Sequence, residues 1–306
     1  MHVTKTEGLV AAPFTPMTAD GRPCCDSIGR YATHLVQRGV VGAFICGTTG
    51  EGVSLSVAER QRVAEAWMRA APDGFRIVVH VGATSLEDCR TLAAHAGAIG
   101  ADAIACLAPF FFRPVGVAGV VEWCVAVAEA APSVPCYYYH IPAMTGVPLR
   151  VAEFLAAAGP RMPSLVGVKF SADEIDDLHD CLRADGGRYD VLFGRDERLV
   201  EALAIGVRGA VGSTYNYAPG IFRAIIAAHD AGDRAAADRL QADAARLIGD
   251  LAACCPQPLP AFKRAMRVHG IDCGPVRMPL QAPTPEQAAR IDAVLAAHGV
   301  TGVPGG

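Results

Sequence analysis

The 306-residue sequence is nearly without lysine: Lys5, Lys169 and Lys263 stand alone among its 27 basic residues, and arginine supplies the rest. No apolar run approaches the ~20 residues that a membrane-spanning helix needs, so a membrane partner is not expected. Runs of one charge are missing as well, and a formal net charge of −4 gives no footing for nucleic acid. The eleven cysteines are scattered, with neighbours only at Cys24–Cys25 and Cys254–Cys255, and neither a CxxC spacing nor a secretory apolar stretch occurs. Reduced thiols in the cytoplasm are the expectation. Neither HxH nor HExxH occurs among nine dispersed histidines, so little points to a metal centre. Low-complexity segments and sequence repeats of about 20 to 50 residues are absent too. What remains is a globular protein whose partners are small molecules and copies of itself.

Hydrophobic residues make up 52% of the chain, enough for a large core, and α/β barrels routinely occupy this length as one domain. Short apolar stretches predict eight strands: Leu9–Ala12, Gly42–Cys46, Arg76–Val81, Ala103–Leu107, Pro135–Tyr139, Leu165–Lys169, Val191–Gly194 and Gly209–Gly212. Alanine-rich segments of helical periodicity lie between them, among them Val57–Ala71, Leu86–Ile99, Val117–Ala131, Ile175–Ala184 and Glu197–Ile205. Alternating β and α units require parallel strands, and eight can close into a (β/α)8 TIM barrel. Three further helices are predicted at Phe222–Leu251, Leu259–His269 and Pro285–His298, before a loose end at Thr301–Gly306. Residues 1–220 thus form the barrel core, and 221–306 the last barrel helix and a C-terminal helical extension of the same domain.

In such a barrel the chemistry gathers where strands end. "CGTTGEG", "YYYHIPAMTG", "VKFS", "FGRDE" and "VGSTYN" close strands two, five, six, seven and eight and would face one cavity. Lys169 ends a strand that wants no charge. One reading is a cation snorkelling to solvent. The other is chemical, because arginine supplies charge at least as well but cannot form an imine, whereas a desolvated lysine can attack a carbonyl. A chain that avoids lysine and keeps one here favours the second.

An imine needs a proton shuttle. Along "YYYHIP", Tyr137 and Tyr139 share one face, and Tyr139 lies nearer the mouth, although it can equally be a packed aromatic. His140 reads better as a structural hydrogen-bond donor. "GTTGEG" makes a tight turn whose N–H groups and hydroxyls suit an anion such as a carboxylate, and it lacks the Lys-Ser or Lys-Thr of a phosphate loop. Asp196 and Glu197 can simply open a helix, and Ser213 and Thr214 can cap a turn. His80 and His140 with the two acids allow a metal-dependent site to be imagined, without spacing that supports it.

Taken in order, "GTTGEG", "HVG", "YHIPAMTG", "GVKFS", "FGRDE" and "GAVGSTYNY" resemble the pyruvate-dependent class I aldolases, the family of dihydrodipicolinate synthase and N-acetylneuraminate lyase. The last two motifs, with "YHIPAMTGV" and "PVRMPLQ", look most like the N-acetylneuraminate lyase branch, nearer its animal type. The resemblance runs from about Leu9 to Gln281. It implies a (β/α)8 barrel, usually a homotetramer, that cleaves a sialic acid reversibly to pyruvate and N-acetylmannosamine without a cofactor or metal. By the same resemblance Lys169 is the imine lysine, Tyr139 the catalytic tyrosine, and Thr48 with Thr49 the carboxylate grip. Ser171, Gly194, Asp196, Glu197 and Ser213 fall where sugar hydroxyls and the substrate tail are held. Ser171 stands where some members have threonine, and Phe111 where some carry a relay tyrosine, so a relay here must do without it. Dihydrodipicolinate synthase or a 2-keto-3-deoxy sugar acid aldolase is the nearest rival, but the synthases' arginine before the Thr-Gly is Met144 here. A non-catalytic sugar-acid sensor is the rival from another class.

Overall fold

The eight apolar stretches are strands, and they pair in chain order, all parallel, with the last closing on the first. The structure, a computed structural model, describes residues 4–302. Its elements run β1 (Gly8–Ala11), α1 (Ile28–Gln37), β2 (Gly42–Ile45), α2 (Val57–Ala70), β3 (Arg76–His80), α3 (Leu86–Ala98), β4 (Ala103–Cys106) and α4 (Gly116–Ala128). They continue with β5 (Cys136–His140), α5 (Pro142–Thr145), α6 (Val151–Ala158), β6 (Leu165–Phe170), α7 (Ile175–Gly187), β7 (Asp190–Phe193), α8 (Leu199–Ala204) and β8 (Gly209–Gly212). After the barrel come α9 (Pro219–Asp230), α10 (Arg234–Ala252), α11 (Pro258–Ala265) and α12 (Pro285–Ala297). The chain is thus a (β/α)8 barrel with C-terminal helices.

Side chains alternate across the barrel wall. Val10, Phe44, Val78, Tyr137, Leu192 and Val211 fill the interior, while their neighbours Leu9, Ala43, Ile77, Tyr138 and Val191 pack between wall and helices. The N-terminal end is plugged by Asp190, which accepts the Thr6 N–H at 3.1 Å, the Thr6 hydroxyl at 2.7 Å and the Tyr137 hydroxyl at 2.8 Å. Burial raises its carboxyl above the ordinary value, and these donors oppose that rise.

One irregularity decides where Lys169 points. Cys136 pairs with Leu165, but Tyr137 pairs with Gly167, so Val166 is an extra residue in β6. Val166 faces the interior, whereas Val168 and Phe170 face the helices. Without the bulge, alternation from Val166 would turn Lys169 outward; with it, Gly167 and Lys169 face in. Gly167 is required there, since a Cβ would stand 2.0 Å from the Asp190 carbonyl oxygen and 2.7 Å from a Tyr137 ring carbon.

Several boundaries differ from the sequence reading. The helix predicted over Phe222–Leu251 is two, α9 and α10, broken at Gly232 with φ +76° and restarted by Asp233, whose side chain accepts the Ala236 N–H. The helix predicted from Glu197 opens as a 3₁₀ turn at Asp196–Arg198 before α8. α7 loses helical geometry at Ala184, where its prediction ended. Helices α1, α5 and α6 have no counterpart among the helices named from sequence. Of the loose end expected over Thr301–Gly306, residues 303–306 lie outside those described.

Candidate active site

The bulge in β6 delivers the Lys169 amine into the barrel mouth, where the residue is 4% exposed. Its Nζ lies 4.2 Å from the ring centroid of Phe44 and 4.2 Å from that of Tyr139. Among the described residues it makes no hydrogen bond or ion pair. The Tyr139 ring is held edge-on by Phe44 at 5.3 Å and by His80 at 5.7 Å between centroids. That grip leaves the hydroxyl pointing at Thr48 Oγ1, 3.4 Å away. An amine able to form an imine and a phenol able to carry a proton therefore stand side by side in an apolar wall.

The turn after β2 folds back on its own strand. A Cβ on Gly52 would lie 1.8 Å from the Cys46 carbonyl oxygen, so only glycine permits this return. The Glu51 N–H donates to Thr48 O and the Gly52 N–H to Gly47 O, both at 3.1 Å. The N–H groups of Thr48, Thr49 and Gly50 meet no acceptor among the described residues. Consecutive free N–H groups beside two half-buried threonine hydroxyls make a concavity suited to a carboxylate.

The opposite rim comes from β6, β7 and β8. Ser171 is buried, and its Oγ occupies the space Gly194 leaves, since a Cβ there would stand 1.9 Å from it. Asp196 lies over Gly212, where a Cβ would meet its Oδ1 at 1.9 Å, and its Oδ2 accepts the Thr214 N–H at 3.0 Å. Burial raises the Asp196 carboxyl; the Thr214 contacts and the charge of Lys169 pull the other way. Glu197 does not match it. It is half-exposed and turns toward Arg195, whose Nε lies 3.6 Å from Oε2. Ser213 is half-buried at the start of the turn after β8, and its carbonyl accepts from Asn216 Nδ2 at 2.8 Å.

The structure thus brings Lys169, Tyr139 and Thr48 together, sets Thr49 in the same turn, and places Ser171, Gly194, Asp196 and Ser213 at the ends of the neighbouring strands. His140 faces the helices instead, 3.5 Å from the Tyr138 hydroxyl, and burial lowers its imidazole to about 4. Phe111 is 75% exposed, its ring edge-on to that of Phe112. Met144 is exposed on α5.

Sequence reasoning missed Phe44, and it weighed His80 as a metal ligand and as part of the HVG motif without giving it a role in the site. Alternation along β2 and β3 was the available signal, since it puts both side chains inside the barrel. His80 Nδ1 lies 3.0 Å from the Cys46 carbonyl oxygen, while Nε2 is buried without a partner. Burial first, then the charge of Arg60, hold the imidazole well below its ordinary value, so it is neutral. Among the described residues no three His, Cys, Asp or Glu side chains are grouped to hold a metal, and no helix is long and apolar enough to cross a membrane.

The profile of the dihydrodipicolinate synthetase family matches residues 5–298. N-acetylneuraminate lyase of Rattus norvegicus is 41% identical over 304 residues, covering 98% of this chain and 95% of its own length. That of Gallus gallus is 42% identical over 298 residues, covering 95% and 96%. Among solved structures, the N-acetylneuraminate lyase (sialic acid aldolase) from Aliivibrio salmonicida superposes with a TM-score of 0.94 at 40% identity, over 97% of this chain and 98% of that one. Proteus mirabilis N-acetylneuraminate lyase gives the same score and identity, over 97% and 100%.

Proposed function

Because the chain belongs to the dihydrodipicolinate synthetase family, we propose that it is a class I aldolase that cleaves N-acetylneuraminate reversibly to pyruvate and N-acetylmannosamine. The observation that carries the reading is the Lys169 amine, unpaired and desolvated between two aromatic rings, one of which bears a hydroxyl beside the threonine turn. Lys169 Nζ attacks the C2 ketone of the open-chain substrate as the free amine, and uptake of a proton from solvent with loss of water leaves a protonated imine. Tyr139 takes the proton of the C4 hydroxyl while passing its own to the substrate carboxylate. As the C4 carbonyl forms, the C3–C4 bond breaks and its electron pair moves through C2 to the imine nitrogen, leaving an enamine and free N-acetylmannosamine. Protonation at C3 and hydrolysis then release pyruvate and return the amine.

Thr48 and Thr49, with the free N–H groups of their turn, hold the carboxylate next to C2. Ser171, the Gly194 backbone, Asp196, Glu197 and Ser213 receive the hydroxylated tail, where acidic acceptors suit a polyol better than an anionic aldehyde. Met144 offers no cation for such an aldehyde, which favours this reading over condensation of pyruvate with aspartate semialdehyde. The covalent imine takes the place of a metal or cofactor. The protein works in the cytoplasm as a homotetramer; its eleven free cysteines and the exposed Phe111, Phe112 and Val115 support these two points. Residues 1–220 and 221–306 act as one domain.

Borohydride reduction in the presence of pyruvate tests the proposal. The label should map to Lys169, and the purified protein should release pyruvate from N-acetylneuraminate. Labelling of Lys5 or Lys263, or none, would refute the Schiff-base reading, and preferred condensation with aspartate semialdehyde would move the protein to the synthase branch.

A further inference from the structure

The threonine turn is strained at both ends. Among the described non-glycine residues only Cys46, Glu51 and Asp185 have positive φ, and the first two, at +56° and +55°, bracket Thr48 and Thr49. Left-handed backbone at such residues persists only where the surroundings over-determine it. At Cys46 the restraint comes from inside the barrel, where His80 meets its carbonyl.

At Glu51 the restraint comes from the C-terminal extension. Its Oε1 accepts from Lys263 Nζ at 2.6 Å and its Oε2 from the Arg277 N–H at 2.8 Å. Lys263, on α11, also donates to the Pro275 carbonyl at 2.7 Å. The two side chains are sealed, at 2% and 1% exposure. Arg277 grips Glu59 on α2 with both terminal nitrogens and donates from Nη1 to the Ser54 carbonyl at 2.9 Å, fixing the segment that follows the turn. A lysine fits Glu51 because a compact ammonium reaches a carboxylate and a carbonyl in one closed space, which a planar guanidinium fork does not.

A sealed ion pair is a poor way to gain stability, since desolvating two charges offsets their attraction and an apolar pair would fasten α11 equally well. Its directionality is what an apolar pair lacks. We infer that Glu51 and Lys263 are positioning residues, through which the C-terminal extension fixes the Gly47–Gly52 turn in the geometry that grips the substrate carboxylate. This deepens the proposed reaction and rests on it, because the turn matters only if a keto acid sits there.

The test uses the full-length chain as wild type, Glu51→Gln, Lys263→Met and the double variant. Each is trapped with borohydride over a range of pyruvate concentrations, and its thermal unfolding is followed by circular dichroism. The wild type should label at Lys169. Each single variant should need roughly 10- to 100-fold more pyruvate for half-maximal labelling, because a small misplacement of a binding group costs up to that much. Maximal labelling should be unchanged. The double variant, with no buried charge left unpaired, should regain the melting temperature of the wild type but not its half-saturating concentration. This keeps the test decisive where a lone buried charge unfolds a single variant. A half-saturating concentration equal to that of the wild type in any cooperatively melting variant overturns the inference. Absence of label in the wild type refutes instead the imine on which the inference stands.

Discussion

Replacing Tyr139 by phenylalanine removes one oxygen and little else. The ring contacts with Phe44, His80 and the Lys169 amine survive, because all three are made by the ring. The hydroxyl has one partner, Thr48 Oγ1 at the long distance of 3.4 Å, so its loss should cost the fold no more than about 0.5–1.5 kcal/mol. The variant should therefore be folded and should still form an imine with pyruvate, since the proposed nucleophile and carboxylate grip are untouched. Carbon–carbon cleavage is different, because the C4 hydroxyl proton then has no acceptor. Removal of a general base commonly costs about 10²- to 10⁴-fold, or roughly 2.7 to 5.5 kcal/mol of barrier. Borohydride trapping with pyruvate reads the first step, and pyruvate release from N-acetylneuraminate at saturation reads the second. Cleavage within about tenfold of wild type would mean that the proton leaves by another route. Loss of trapping together with cleavage would mean that Tyr139 acts by holding Lys169 in place.

Lys169→Arg keeps a cation between the same two rings but cannot make an imine, so trapping and turnover should both vanish; near-normal lyase activity would end the mechanism. Gly212→Ala places a methyl group 1.9 Å from Asp196 Oδ1. The carboxylate must then swing away, and the variant should lose about 1–3 kcal/mol in urea unfolding and most sialic acid cleavage while keeping the pyruvate imine; unchanged cleavage would remove Asp196 from tail binding. Acid should weaken the fold before its carboxylates titrate. His140 is held at about 4 against an ordinary value of 6.5, so the unfolded chain takes up its proton first. Stability should therefore fall by about 1.4 kcal/mol per pH unit for this residue as pH drops from 6.5 toward 4. His269, also lowered to about 4, adds to the fall. Glu59, held at about 2 chiefly by its hydrogen bonds from Arg277, adds its own loss only as pH drops from 4.5 toward 2. Urea midpoints that stay flat from pH 7 to pH 5 would refute this assignment.

Alternation of apolar strands and alanine-rich helices made the barrel legible, because a parallel sheet buried on both faces writes its strands as short apolar runs. The same signal could not show the bulge at Val166, since an extra valine in an apolar strand leaves the pattern unchanged while reversing every side chain beyond it. Lys169 was chosen for its chemistry, and its inward direction comes from that single inserted residue. Tyr139 and the threonine turn were open to other readings on their residues alone, and the roles proposed for them came from the order of the motifs around them. Asp196 and Glu197 were read as a pair because they are neighbours in the chain, but a 3₁₀ turn sends one carboxylate over Gly212 and the other to Arg195. The Glu51–Lys263 pair lay furthest from reach, with its partners 212 residues apart and nothing local to mark either. Local chemistry therefore named the residues proposed to react, whereas the register shift at Val166 and the long-range Glu51–Lys263 pair depend on closure of the whole barrel.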